Sequence, residues 1–283
     1  MLTLLVIFIA GIAGGLVGSL AGLGGGAVVV PVLALYAGIP LAYAAGASLI
    51  SAIATSAGSA SEYLKNSLAN MRVGISLSIG TTLGAIVGSL IAAYIYSKGL
   101  DSVIFVLFGL VLLGSSYMEI RKLFGRKTAR TAKPDWSTKL LGLTGSYYDE
   151  ALKKRVHYSG SRWHFGLLVM FCAGMLSGLL GIGSGVLKVL GMDLIMGLPI
   201  KITTATSNFM IGVTTATSSG IYWANGLINP LVVAPAAAGV IIGAMAGSRI
   251  MPRLKGRSIR AVFIAVIVFL GVQMLLQGLG FHA

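Results

Sequence analysis

Residues 22–40 read GLGGGAVVVPVLALYAGIP, and residues 181–199 read GIGSGVLKVLGMDLIMGLP. Both stretches open with glycines at alternate positions, continue through mostly apolar residues and end in Gly-x-Pro. The offset of 159 residues between them holds without a gap over about seventy positions, which indicates an internal repeat. Further residues share this register: Ser48 with Ser207, Thr55 with Thr214, Tyr63 with Tyr222, and Asn70 with Asn229. The chain is therefore predicted to consist of two homologous halves.

The composition indicates a membrane protein. Of the 283 residues, 56% are hydrophobic and only 10% are charged, against about 25% charged in soluble domains. No charged residue occurs in 1–61, 73–97, 163–187 or 202–248, and uncharged apolar runs of this length are typical of membrane spans. A retained first helix is expected rather than a signal peptide, because no basic segment precedes the first apolar run. The predicted fold class is an all-α polytopic membrane protein.

Each half contains five apolar segments. They cover 2–20, 23–38, 42–60, 73–96 and 102–120 in the first half, and 163–180, 182–198, 202–221, 230–251 and 260–279 in the second. The second and third segments are expected to be short: about 17 helical residues rise about 26 Å, less than the hydrocarbon core of about 30 Å. They either span thinly or form re-entrant hairpins.

Two halves that each cross the membrane an odd number of times have opposite orientations. With five or three crossings per half, the sequence therefore predicts inverted-topology repeats, a layout found in many secondary transporters. The predicted divisions are a first transmembrane repeat at 1–120, a basic cytoplasmic linker at 121–162 and a second transmembrane repeat at 163–283.

The net charge of +14 is concentrated in two regions. Eleven of the 21 lysines and arginines lie in 121–162, and four more lie in 252–260. Such clusters beside membrane helices favour the cytoplasmic side, near anionic lipid. We therefore expect a prokaryotic inner-membrane protein with both termini outside and no nucleic-acid partner. Lys201, in a short turn, is difficult to assign, and the sequence leaves the oligomeric state open.

The glycine triplets admit three interpretations. Glycines four residues apart let membrane helices approach closely, but glycines two apart point to opposite faces and weaken a helix by about 1 kcal/mol each. A helix start with free N–H groups would instead bind an anion. A nucleotide-binding P-loop is disfavoured because no Gly-Lys-Ser/Thr ending follows. The candidate anion-binding residues are Gly22, Gly24, Gly25, Gly26, Gly181, Gly183, Ser184 and Gly185.

The third segments carry polar stripes at helical spacing. The stripes consist of Ser48, Ser51, Thr55, Ser59 and Glu62 in one half and Thr204, Ser207, Asn208, Thr215 and Ser218 in the other. A single hydroxyl in a membrane helix commonly bonds to its own backbone. A stripe in both halves, however, predicts hydrogen-bond donors to an oxyanion. The candidate donors are Ser48, Ser51, Thr204, Ser207 and Asn208.

Lys188 is a charged residue within an apolar segment, three positions after Gly185. A charge near mid-membrane costs at least about 2.5 kcal/mol and usually faces a cavity or partner, so we expect Lys188 to bind the anion. Snorkelling towards the interface is the alternative. Asp193 lies about 140° away on a regular helix, so the two meet only if the helix is broken. Asp193 and Glu62 are candidates for proton or ion coupling.

Taken together, these motifs resemble the sulfite exporter TauE/SafE family. The resemblance rests on the repeated glycine-led segments ending in Gly-x-Pro, on the small polar segments PLAYAAGASLISAIATS and PIKITTATSNFMIGVTTATS, and on the glycine-spaced fourth helices. It covers the chain except the linker, and it implies secondary transport of sulfite, sulfonates or related anions. Ser184, Lys188 and Leu190 depart from the family pattern, so the substrate need not be sulfite.

The predicted function is a secondary transporter that moves a small anion by alternating access. Export is the simpler direction, because an inside-negative potential drives an anion outward. A passive anion channel with the same binding site is the alternative. A membrane enzyme is disfavoured, since no cluster of His or carboxylate residues with metal spacing is visible, and neither a cofactor nor a metal is expected.

Overall fold

The computed structural model describes residues 2–124 and 134–280, and these residues are mostly helical. The first half contains α1 (Leu2–Ala21), α2 (Gly26–Pro31), α3 (Leu41–Lys65), α4 (Met71–Ser97) and α5 (Asp101–Phe124). The second half contains α7 (Trp163–Leu180), α8 (Gly185–Leu190), α9 (Ile200–Ala224), α10 (Pro230–Ile250) and α11 (Gly256–Gly278). Met1, residues 125–133 with four of the linker's basic residues, and residues 281–283 lie outside the described residues, so the predictions for these parts of the linker and for both chain ends are untested.

Within the described residues, six helices are long and apolar enough to cross a membrane. They are Leu4–Ala21, Leu41–Lys65, Met71–Ser97, Trp163–Leu180, Pro230–Arg253 and Arg257–Gly278. This confirms a multi-pass membrane protein.

The second segment of each half is short, as predicted. α2 continues directly into a π-helix at Val32–Tyr36, and α8 continues into one at Gly191–Ile195. The third segments are not short: α3 and α9 have 25 residues each, a rise of about 38 Å. That part of the expectation is wrong, because both helices extend through the polar residues that flank their apolar stretches.

The expectation of an all-α fold is also wrong. After the short helix α6 (Trp136–Leu141), the linker forms an antiparallel hairpin of β1 (Thr144–Asp149) and β2 (Lys154–Ser159). Its strands are rich in tyrosine and flank a four-residue turn, a pattern typical of hairpins. The side chain of Asp135 caps α6, and hydrogen bonds from Ser137 and from nearby backbone amides hold the pKa of its carboxyl below the ordinary value.

The two halves pack against each other reciprocally. The first helix of each half lies on the fourth helix of the other, α1 on α10 and α7 on α4. A Cβ on Gly243 would collide with the Ile12 carbonyl, and one on Gly84 would collide with the Phe171 carbonyl. These glycines therefore allow backbones to approach closely, as expected for glycines four residues apart in membrane helices.

The polar connections gather at two ends of the molecule. At one end, which we call the linker end, Lys201 Nζ donates to Asp149 Oδ1 at 3.0 Å and to the Pro252 carbonyl at 2.8 Å, and Asn70 Nδ2 donates to the Tyr158 hydroxyl at 3.0 Å. We call the other end of the molecule the opposite end. A pocket of about 270 Å³ lies there, lined by residues near 43, in 97–101 and in 225–227. This grouping explains Lys201: its ammonium is buried between the hairpin and the end of α10.

Candidate anion site at the glycine junction

The two glycine segments meet at the middle of the long helices α3 and α9. Gly24 and Gly183 have φ angles of 75° and 73°, and a Cβ on either residue would contact both Ala52 of α3 and Ile211 of α9. Ala52 and Ile211 are themselves 159 residues apart. Two turns at equivalent positions of the 159-residue offset therefore lie together, and we call this region the glycine junction. Six of its residues have positive φ: Gly22, Gly24, Gly25, Gly181, Gly183 and Ser184.

At the glycine junction the two backbones are in direct contact. A Cβ on Gly185 would collide with the carbonyl oxygen of Gly22. A Cβ on Gly26 would collide with the Ser48 hydroxyl and lie 3.1 Å from the Ile182 carbonyl oxygen. Close approach therefore requires glycine at these two positions. The two helix starts lie against each other, and their backbones pack together in the conformation described.

Four hydroxyls of the predicted site are buried without a hydrogen-bond partner among the described residues. They belong to Ser48, Ser51, Ser184 and Thr204, all at most 2% exposed. A buried polar group that makes no hydrogen bond costs about 1–3 kcal/mol of folding free energy. These four hydroxyls by themselves therefore lower the stability of the fold. Ser184 also holds a left-handed φ of 47° where the first half has Gly25, which adds backbone strain.

The side chains of Ser207 and Asn208 donate their hydrogen bonds to backbone carbonyls of the protein. Ser207 Oγ donates to the Gly22 carbonyl at 3.0 Å, and Asn208 Nδ2 donates to the Ser19 carbonyl at 3.1 Å. The sequence predicted both as donors to an anion, whereas here they hold the end of α1. Within the described part of the chain, Asn208 Oδ1 has no hydrogen-bond partner, but it is an acceptor and does not suit an anion.

Lys188 is fully buried and does not snorkel. Its Nζ donates to the Gly183 carbonyl at 3.0 Å and to Thr214 Oγ1 at 2.9 Å. In the first half the equivalent hydroxyl, Thr55 Oγ1, donates directly to the Gly24 carbonyl at 3.1 Å. The lysine therefore places its side-chain amine between two groups that bond to each other in the first half.

Sequence reasoning missed Thr214 as a partner of Lys188. Its register with Thr55 was visible, but a contact between residues 26 positions apart depends on how α8 docks on α9. Thr81 of α4 extends the same cluster, with its hydroxyl 3.0 Å from that of Thr214. The buried ammonium is thus linked through Thr214 to a helix of the other half.

The two coupling candidates lie in different surroundings. Asp193 is largely buried in the π-helix that follows α8, so the angle expected between Asp193 and Lys188 on a regular helix does not apply. Glu62 lies at the linker end, where its Oε1 accepts a bond from Asn66 Nδ2 at 3.0 Å. Among residues 2–124 and 134–280, no group of three His, Cys, Asp or Glu could hold a metal ion.

Long apolar helices enclosing two short helices with a buried polar junction are typical of membrane transporters. The family model described as sulfite exporter TauE/SafE matches residues 7–274, and the chain belongs to this family. It is 29% identical over 287 residues to the probable membrane transporter protein YunE of Bacillus subtilis (strain 168), covering 98% of this chain and 99% of that protein. No solved structure matches the chain. The protein is a transporter and not an enzyme.

Proposed function

We propose that this protein is a secondary transporter that moves a small sulfur-containing or organic anion, such as sulfite or a sulfonate, by alternating access. The observation that supports the proposal is the group of four buried hydroxyls without partners at the glycine junction, where Lys188 Nζ donates to the Gly183 carbonyl. Hydroxyl donors replace part of an oxyanion's hydration shell, and the ammonium offsets its charge.

Binding requires the glycine junction to open. Because Gly185 lies on the Gly22 carbonyl and Gly26 lies beside Ile182, an anion enters only when α2 and α8 separate. Separation also exposes the first-turn N–H groups of both short helices, which lack intrahelical acceptors. Ser48, Ser51, Ser184 and Thr204 then donate to the anion together with these amides.

The reciprocal packing of the halves supports inverted repeats. In a two-fold arrangement the contact of α1 with α10 must recur as α7 with α4, and the contact of α3 with α10 as α9 with α4; both pairs occur. We therefore assign 1–120 and 163–283 as two transmembrane repeats of opposite orientation, joined by the linker 121–162.

The charge distribution supports an orientation in which the linker end faces the cytoplasm and both chain termini lie outside. The loops that the positive-inside bias assigns to the cytoplasm meet at the linker end. In either orientation of the protein, an inside-negative potential contributes about 2.3 kcal/mol per unit charge per 100 mV to anion exit. Export therefore needs no coupled ion, whereas uptake would require coupling through a group such as Asp193 or Glu62.

Counterflow in proteoliposomes tests the transporter proposal. Purified protein is first screened by thermal shift against sulfite, thiosulfate, sulfonates and carboxylates, because a bound ligand stabilises the folded state. For the anion that stabilises it most, we expect saturable flux and trans-stimulated exchange. Flux that neither saturates nor shows counterflow would assign the protein as a passive anion channel. If none of these anions binds or moves, the anion proposal is wrong.

A further inference from the structure

We propose that Tyr63 and Tyr222 are the two gate residues of the transport path, one at each end of the molecule. This inference rests on the alternating-access proposal above. The two tyrosines occupy the same register position in the two halves, and each makes the same contact in its own half. Both contacts are intact in the described conformation, and each open state of the transport cycle breaks one of them while the other stays intact.

Each tyrosine binds the end of the helix that leads into the glycine junction. The Tyr63 hydroxyl donates to the Ser19 carbonyl at 2.6 Å, and the Tyr222 hydroxyl donates to the Gly178 carbonyl at 2.9 Å. Ser19 and Gly178 lie three residues before Gly22 and Gly181. Carbonyls in the last turn of a helix have no intrahelical donor, so these contacts replace bonds that the helix cannot make.

The tyrosines lie at opposite ends of the molecule. Tyr63 belongs to the buried cluster that contains Leu143 and Tyr158 of the linker. Tyr222 packs edge-on against Tyr96, with ring centroids 6.3 Å apart, beside the pocket of the opposite end. Each residue lies near the C-terminal end of a long helix, Tyr63 in α3 and Tyr222 in α9. Each tyrosine therefore links a long helix to the helix that precedes the glycine turn of the same half.

At the linker end, the contact of Tyr63 with Ser19 lies beside a small cavity among the described residues. The cavity beside Tyr63, lined by Ser59, Met71 and Phe209 among others, has a volume of about 20 Å³, against about 270 Å³ for the pocket near Tyr222. The smaller volume holds about one water molecule. Asn208 strengthens this closure, since its Nδ2 donates to the Ser19 carbonyl and lies 3.4 Å from the Tyr63 hydroxyl. The equivalent position in the first half is Leu49, which has no donor.

Breaking the contact of Tyr63 with Ser19 releases the end of α1 at the linker end. Breaking the contact of Tyr222 with Gly178 releases the end of α7 at the opposite end. If both were open at once, the anion would leak. Two gates that open alternately prevent this leak, because each gate joins a different pair of helices.

Thiol labelling from each side tests the gates without any substrate. The background variant is Cys172→Ser, because Cys172 is exposed and is the sole cysteine. Reporter variants Ser59→Cys and Ser218→Cys share a register position, one turn before Tyr63 and Tyr222. A membrane-impermeant thiol reagent is applied to right-side-out spheroplasts and to inverted vesicles.

We expect Tyr63→Phe to raise labelling of the Ser59→Cys reporter from the linker side by about three- to tenfold, the population change that losing one neutral hydrogen bond produces. Tyr222→Phe should do the same for the Ser218→Cys reporter from the opposite side. Tyr94→Phe is the control, because Tyr94 is exposed on α4 and should change neither rate. Asn208→Leu, which copies the first half, should act like Tyr63→Phe with a smaller effect.

Equal changes at both reporters, or no change at either, would overturn the gate assignment and leave the tyrosines as structural caps. Size-exclusion profiles show which variants are folded. If Tyr63→Phe is not folded, Asn208→Leu replaces it as the test of the linker-end gate. Alternating labelling without anion counterflow would retain the gates and reject the anion proposal. Counterflow without alternating labelling would do the reverse.

Discussion

At the residue scale, one register position gives the glycine junction a basic side chain on one side only. Lys188 stands where the first half has Val29. The ammonium is held by a carbonyl and a hydroxyl, both neutral acceptors. An anion bound beside this amine would stabilise its charged form, because a nearby opposite charge favours ionisation.

Lys188→Met tests this role. Methionine fills a similar volume without a charge, so we expect a folded protein whose affinity for its anion falls roughly tenfold or more, the loss of one charged hydrogen bond. Thermal shift and counterflow measure the change. Lys98→Met is the matched control, because Lys98 is exposed at the opposite end and should leave affinity unchanged. Unchanged affinity in Lys188→Met would make the lysine a structural residue.

At the element scale, the linker hairpin is attached to the membrane helices by a buried ion pair. Lys201 at the start of α9 and Asp149 at the end of β1 are 2% and 6% exposed, and their charged atoms are 3.0 Å apart. Removing one partner of a buried pair leaves an uncompensated charge. The position that was difficult to assign from sequence is therefore the one that docks the hairpin.

Asp149→Asn is expected to loosen the hairpin by about 3–5 kcal/mol. Hydrogen exchange of amides in 144–159 should increase while exchange in α4 and α7 stays unchanged. Glu150→Gln is the control: its contact with Arg253 is 4.0 Å long and solvent-exposed, and such pairs contribute about 1 kcal/mol or less. Equal protection of the hairpin in both variants would show that apolar packing alone docks it.

Some of these elements could be predicted from the sequence and others could not, for physical reasons. Membrane spans follow from long apolar runs, and the short second helices follow from the spacing of glycine and proline. The hairpin was not predicted, because its two strands have only six residues each and lie in a highly charged linker of the kind that usually forms a loop. The unpartnered state of Ser48 and Thr204, and the use of Ser207 on a backbone carbonyl, depend on how two halves meet, which no local pattern encodes.

At the scale of the whole molecule, the grouping of loops predicts a definite sidedness. In the Cys172→Ser background, Lys98→Cys should react with an impermeant thiol reagent in intact cells, because its loop lies at the opposite end. Lys153→Cys, in the hairpin turn, should react only after the cells are permeabilised. The reverse pattern would place the linker outside and both chain termini in the cytoplasm.

The reciprocal packing of α1 on α10 and of α4 on α7 also bears on biogenesis. When the ribosome has delivered only the first half, the glycine-rich faces of α1 and α4 have no partner in the bilayer. Lipid tails fill shallow grooves poorly, so this nascent intermediate stays loosely assembled until translation supplies α7 and then α10. The mature packing is therefore completed late in synthesis, and the order of insertion determines when each half becomes rigid.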